Sequence, residues 1–134
     1  MDYKMKKLIT IAVMGLLIMT AYAQTDNAGS KPFSNYTEYK GLVFVAGQIG
    51  NADAGFSEEV RQALNNVNAI LKQAGTSMKK VLNVTVYLRN MQQIDEFNSI
   101  YQIYFQAPYP ARTCVAVSDL VKRANVEISV IAVK

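Results

Sequence analysis

The chain has no histidine and a single cysteine, Cys114, among its 134 residues. The missing histidine removes the commonest general base and the commonest metal ligand. A Ser-His-Asp triad and a histidine-built zinc site are both excluded, and one cysteine cannot supply a multi-cysteine metal site. Nor can it close an intramolecular disulfide, so stability has to come from an apolar core. The longest apolar run, Leu8 to Met19, has 12 residues. That is too short for a bilayer span, which takes about 20. No Lys/Arg run with interleaved aromatics occurs, so nothing argues for a nucleic-acid partner. The pairs Lys79-Lys80 and Lys122-Arg123 read as solvated turns. There is also no internal repeat of solenoid period.

What is present begins with an export signal. Lys4, Lys6 and Lys7 precede the apolar run, and Ala21-Tyr22-Ala23 supplies small residues ahead of Gln24. Together these form the three parts of a cleavable secretory signal. Cleavage is expected after Ala23, with a periplasmic or secreted product that has no membrane attachment afterwards. A lipoprotein signal is excluded, because the cleavage site has no cysteine. Removing residues 1–23 takes away three lysines and Asp2, so 14 basic and 10 acidic residues become 11 and 9, and the net charge falls from +4 to +2. Residues 24–31 are polar and read as a flexible lead-in, and residues 32–134 form one domain.

Within that domain, Thr37 to Tyr39 is a short strand, Lys40-Gly41 a turn, and Leu42 to Ala46 a buried strand running into Gly47-Gln48. Ser57 is the expected cap of a helix, with Glu58 and Glu59 in its first turn near the positive helix end. Its buried stripe is Val60, Ala63, Leu64, Val67, Ile70, Leu71 and Ala74, and Gly75 follows as the C′ residue. Val81 to Arg89 alternates as a strand, with Val81, Asn83, Thr85 and Tyr87 on one face and Leu82, Val84, Val86 and Leu88 on the other. Asn90 can cap a second helix with the stripe Ile94, Phe97, Tyr101, Tyr104 and Phe105, which reads as core. Pro108 and Pro110 stop that helix. Thr113 to Val117 and Val126 to Val133 are the last strands, separated by a polar loop. The order β-β-α-β-α-β-β predicts an α+β domain with two helices on one face of a mixed sheet. Val81, Tyr87, Ile131 and Val133 leave the other face partly apolar, and oligomerisation would cover it.

Three side chains could carry chemistry. Arg112 has the donor fork for a carboxylate or phosphate, or it is an ordinary surface cation. Glu127 stands between apolar residues, where partial burial would make it a better proton acceptor; an exposed strand position is the plainer alternative. Cys114 is two residues from Arg112 on the same strand face. It is either a thiol acidified by that cation or a small buried hydrophobe.

The blocks Pro32-Phe33-Ser34-Asn35, Val43-Phe44-Val45-Ala46-Gly47-Gln48-Ile49, Ala63-Leu64-Asn65-Asn66-Val67, Val84-Thr85-Val86-Tyr87-Leu88, Pro110-Ala111-Arg112-Thr113-Cys114-Val115 and the closing Val126-Glu127-Ile128 resemble the RidA (YjgF) family of reactive-intermediate deaminases. The resemblance spans about residues 30–134. It implies a chorismate mutase-like fold and a homotrimer with clefts between subunits. It also implies cofactor-free, metal-free hydrolysis of 2-imino and enamine acids, such as 2-iminopropanoate and 2-iminobutanoate, to keto acids and ammonia. By the same resemblance Arg112 would clamp the substrate carboxylate and Glu127 would activate water. Cys114, Phe33, Ala46 and Gly47 would line the cleft. Phe33 stands where the family usually has tyrosine and Ala46 where it often has serine, which makes the cleft less polar. A trimer that binds small ligands or acts as a chaperone without turnover is the alternative, and RNA cleavage, an older label for parts of the family, is a third.

Overall fold

The computed structural model describes residues 31–134. The expected signal peptide and the lead-in up to residue 30 lie outside the described residues. Strands β1 (Tyr36–Tyr39) and β2 (Leu42–Gln48) form a hairpin. Its two-residue turn, Lys40-Gly41, has both residues at positive φ, 47° and 78°, the geometry that suits the twist of paired strands. Helix α1 (Phe56–Gln73), strand β3 (Val81–Leu88), helix α2 (Ile94–Tyr104), strand β4 (Ala111–Ala116) and strand β5 (Val126–Val133) complete the domain. The sheet order is β1-β2-β5-β3-β4, with β3 and β4 parallel and the other pairs antiparallel.

Both helices pack on one face of this sheet, as their periodicity implies. The full α1 stripe from Val60 to Ala74 is buried in one cluster with Val43, Val45, Val84, Val86, Ile128 and Val130 of the sheet and Phe97, Ile100 and Tyr101 of α2. Each Val, Leu, Ile or Phe side chain among them contributes about 1.5–3 kcal/mol of transfer free energy. α1 ends in a Schellman turn: Thr76 N donates to Leu71 O and Gly75 N to Lys72 O, with Gly75 at φ 78°. Asn90 accepts from Gln92 N and opens the short turn leading into α2.

Two local expectations are corrected. Ser57 does not cap α1. The helix starts two residues earlier than that cap implies, at Phe56 after Gly55 at φ 86°, and Ser57 Oγ instead donates to Glu96 Oε1 of α2. The strict alternation along β3 also fails at its start. A register shift between Val81 and Asn83 turns Val81 into the core and leaves Leu82 51% exposed, so Val81 does not belong to the open face. A bulge adds a residue and reverses parity beyond it. The open face does carry Phe44, Tyr87, Ile131 and Val133, with Leu42 paired to Val133 at its edge.

Candidate functional site

Arg112 is the second residue of β4, an edge strand of the sheet that begins two residues before the expected Thr113. It pairs with the fully buried Val84 and Cys114 with the fully buried Val86, so both side chains lie on the helix side of the sheet. The Arg112 guanidinium carbon sits 4.7 Å from the ring centre of Tyr101 and 5.7 Å from that of Phe97. Beneath it the aromatic stripe of α2 forms a shelf, with Tyr101 stacked on Phe105 at 4.5 Å and tilted against Phe97 at 5.7 Å. A cation over such a ring gains about 0.5–1 kcal/mol when exposed. Among the described residues no carboxylate forms an ion pair with Arg112; the pairs found are Arg89–Asp119 and Lys134–Glu38. The guanidinium instead opens onto a concavity of about 380 Å³, lined also by Asn98, Tyr101, Gln102, Tyr109 and Pro110. Pro110 ends the connection from α2 and leads directly into β4, which fixes where Arg112 emerges.

Cys114 is half-buried and packs against the core. Burial pushes its thiol up, and the neighbouring Arg112 offsets this only in part. The thiol is therefore protonated at neutral pH, which fits the hydrophobe reading and not an activated nucleophile.

Glu127 belongs to the opposite face. It pairs with Tyr87 across β3 and is half-buried between Val126 and Ile128, which point into the core. Beside it β2 breaks register between Val45 and Gln48, and Gln48 Nε2 donates back to Ala46 O (2.9 Å) and Gly47 O (3.1 Å). The bulge brings Gly47 against the glutamate. A Cβ at position 47 would stand 1.8 Å from Glu127 Oε1 and 2.7 Å from its carboxyl carbon, so only glycine admits the carboxylate there. Ala46 is half-buried and lines a second concavity of about 270 Å³ with Ser34, Tyr36, Thr37, Phe44 and Val45. Phe33, next in the chain to Ser34, is 58% exposed.

Five of the six sequence-derived site residues fall into two groups, and the exposed Phe33 lines neither concavity. Gly47 and Glu127 are in contact, with Ala46 adjoining; Arg112 and Cys114 are side by side. The groups lie on opposite faces of the sheet, and β3 separates β5 from β4, which adds about 10 Å in the sheet plane. One chain cannot place Arg112 and Glu127 around one small molecule. Among the described residues there is no set of three metal-ligating side chains.

Sequence reasoning missed two residues here. Glu59 is fully buried rather than an exposed first-turn charge. Its carboxylate accepts Asn125 N at 2.7 Å and Asn125 Nδ2 at 2.8 Å. A Cβ on Gly50 would come within 2.3 Å of the Glu59 carbonyl oxygen. Glu59 therefore ties α1 both to the residue that enters β5, two before Glu127, and to the segment just after Gly47. Its position four before Ala63 puts it on the apolar stripe, and a carboxylate there was the available signal. The other is Tyr101, counted only as core. Its buried hydroxyl has no hydrogen-bond partner among the described residues, and the phenol is pushed from 10.0 up to about 12 by burial, against a lowering effect of Arg112.

Comparison with known proteins places this geometry among relatives. Residues 24–134 match the family described as endoribonuclease L-PSP. A RutC family protein of Aquifex aeolicus is 40% identical over 111 residues, covering 77% of this chain and 89% of its own length. The 2-iminobutanoate/2-iminopropanoate deaminase of Bos taurus is 35% identical over 125 residues, covering 88% and 89%. The crystal structure of RidA from the Antarctic bacterium Psychrobacter sp. PAMC 21119 superposes with a TM-score of 0.74 at 28% identity, covering 80% of this chain and 92% of that one.

Proposed function

The chain belongs to the RidA family, described at the sequence level as endoribonuclease L-PSP, and from that membership we propose that it hydrolyses 2-imino and enamine acids such as 2-iminobutanoate and 2-iminopropanoate. Deaminase names among relatives at about a third identity support imine deamination at the level of the family. The observation that carries the reading for this chain is Arg112, which faces a concavity and has no ion-paired carboxylate among the described residues. A planar fork of that kind binds a 2-imino acid's carboxylate through two parallel hydrogen bonds.

The reaction then needs little more than placement. With the carboxylate fixed, water adds to the electrophilic iminium carbon, and the C=N π pair moves to nitrogen. Glu127 takes the proton that water loses, giving a tetrahedral carbinolamine, and returns it to the amine nitrogen. Glu127 then takes the carbinolamine's hydroxyl proton as the oxygen pair forms the C=O bond and the C–N pair leaves with nitrogen, and that proton passes to the departing ammonia, leaving the keto acid and ammonium. Imine and water are consumed one for one, and no electron carrier takes part. Orientation of water and iminium carbon supplies most of the acceleration.

Because Arg112 and Glu127 lie on opposite faces of one chain, the complete site needs the Arg112 edge of one copy against the Glu127 face of another. The proposal is therefore a homotrimer with a cleft at each subunit boundary. The apolar open face, with Phe44 and Val133 each 38% exposed, is surface that such an assembly covers. Export with cleavage after Ala23 is part of the same proposal, and amino-terminal sequencing of the protein recovered from the periplasm or medium tests it. RNA cleavage is not proposed, given a histidine-free chain with neither a basic run nor a metal-ligand cluster among the described residues.

A second reading, ligand binding without turnover, is favoured by Ala46 and Phe33, which supply no hydroxyl beside the Glu127 half of the site. Loss of 2-iminobutanoate, followed as it is released by an amino acid oxidase, separates the readings. The deaminase accelerates that loss and Arg112→Ala abolishes the effect. A wild type that binds the keto acid but leaves imine decay unchanged is a binding module.

A further inference from the structure

Tyr101 is 5% exposed, and its hydroxyl is the one buried side-chain nitrogen or oxygen without a hydrogen-bond partner among the described residues. Buried hydroxyls are nearly always partnered, and an exception calls for a reason. The ring stacks on Phe105, carries the Arg112 guanidinium 4.7 Å from its centre, and lines the 380 Å³ concavity with Arg112, Asn98 and Gln102. A packed hydrophobic position in that stripe needed only a phenylalanine, as Phe97 and Phe105 on the same face illustrate.

We propose that Tyr101 is a ligand-binding residue of this site: its ring seats Arg112, and its hydroxyl donates a hydrogen bond to the carboxylate that Arg112 clamps. The inference rests on the reading of Arg112 as a carboxylate clamp. The chemistry is complementary. Arg112 has five donors and no acceptor, so it cannot receive the phenol proton. A carboxylate has about four lone-pair sites, of which the guanidinium fork fills two. The phenol stays protonated across the working pH range, because burial pushes it up to about 12. It therefore has a proton to donate to the carboxylate and does not act as a general base. The hydroxyl is buried beneath the guanidinium-bearing wall of the concavity. Arg112, whose side chain is exposed on the edge strand, is the part that shifts to admit the anion.

The test is Tyr101→Phe, which deletes the hydroxyl and keeps the ring. Binding of 2-oxobutanoate is measured by calorimetry, 2-iminobutanoate turnover in steady state, and the melting temperature and oligomeric state beside both. A hydrogen bond to a charged group predicts that 2-oxobutanoate binds about tenfold more weakly or worse. KM is expected to rise with kcat little changed, and the melting temperature to hold, because no intrachain partner is lost. Tyr101→Leu, which also removes the seat for Arg112, is expected to bind more weakly still. The proposal is overturned if Tyr101→Phe binds 2-oxobutanoate within twofold of wild type. A lowered melting temperature or a broken oligomer also overturns it, since the hydroxyl's partner then lies in the assembled protein. A wild type that binds no 2-oxo acid overturns it together with the clamp. A wild type that binds 2-oxobutanoate but shows no turnover defeats only the deaminase reading, and the Tyr101→Phe comparison still decides this one.

Discussion

Opposite-face placement of Arg112 and Glu127 predicts complementation between two inactive variants. Arg112→Ala removes the clamp, a pair of charge-assisted hydrogen bonds worth about 1.5–3 kcal/mol each, so the variant is expected to lose about 10²-fold or more in kcat/KM. Glu127→Ala leaves the clamp but no group to take the proton from water, and it is expected to lose a similar factor. Neither change disturbs the core: Arg112 is exposed at the sheet edge, and Glu127 points away from the helices. If each cleft draws its arginine from one subunit and its glutamate from the next, a cleft is intact when its first subunit is the Glu127→Ala chain and its second the Arg112→Ala chain. Random assembly from equal amounts makes that about a quarter of all clefts. Every mixed trimer holds one such cleft of its three, so co-expressing the two chains under different tags, purifying the doubly tagged species and assaying 2-iminobutanoate hydrolysis should recover about a third of the wild-type rate from parents that are each nearly inactive. A doubly tagged oligomer no more active than its parents would refute the cross-subunit site. A chain carrying both substitutions, mixed with wild type, controls for simple dilution, because it can only remove activity.

Other residues give separate tests. Gly47→Ala drives a methyl group into Glu127 Oε1, so the carboxylate must move by an ångström or more. A fall of about 10² in kcat is expected with a nearly unchanged melting temperature, because the displaced atom ends a flexible side chain. Glu59→Ala strands the two Asn125 donors and empties buried space; urea denaturation should report a loss of about 2–4 kcal/mol. Tyr101 has a folded-state pKa raised from 10.0 to about 12, so its protonated phenol stabilises the fold below pH 10, and that stability is lost as pH rises toward 12. Urea midpoints at rising alkaline pH should therefore fall more steeply in wild type than in Tyr101→Phe. Ala46→Ser restores a hydroxyl beside Gly47 and is expected to change kcat while leaving 2-oxobutanoate affinity within twofold.

The elements were legible because their periods are. The α1 stripe repeats at helical spacing over seven positions, and every one of them is buried. Val126 to Val133 alternates without interruption, and its bounds and faces follow directly. What escaped depends on contacts remote in sequence. The insertion of β5 between β2 and β3 is set by pairs such as Leu88–Val126 and Leu42–Val133, remote in the chain, which no local pattern encodes. The bulge at Leu82 reverses parity through a single extra residue, and Leu82 is as apolar as the Val81 that replaces it in the core. β4 is an edge strand with five of its six residues exposed, so its own sequence gave no face for Arg112; only the pairing with Val84 does. Glu59 was misread because a glutamate in a first turn has a sufficient local explanation in the helix dipole. Its burial depends on Asn125, 66 residues away.

The split site divides the work, and the division bears on what the departures from the family pattern can do. The Arg112 half sits on a helix-borne aromatic shelf and holds every feature needed to capture an anion: a cation without an internal counter-charge, a concavity, and an unspent hydroxyl. The Glu127 half is built on a strand bulge and holds the carboxylate proposed to move the proton. Ala46 lies in that second half, next to Gly47, and Phe33 adjoins Ser34, which shares a concavity with Ala46. Neither lines the concavity that Arg112 faces. Loss of their hydroxyls therefore falls on the placement of water and the reacting carbon, not on capture of the carboxylate. A protein altered only there keeps its affinity for keto and imino acids and differs from its relatives in kcat, so affinity alone cannot tell a deaminase from a binding module on this fold. The kcat of Ala46→Ser against that of Gly47→Ala can, because one changes the polarity around Glu127 and the other its position.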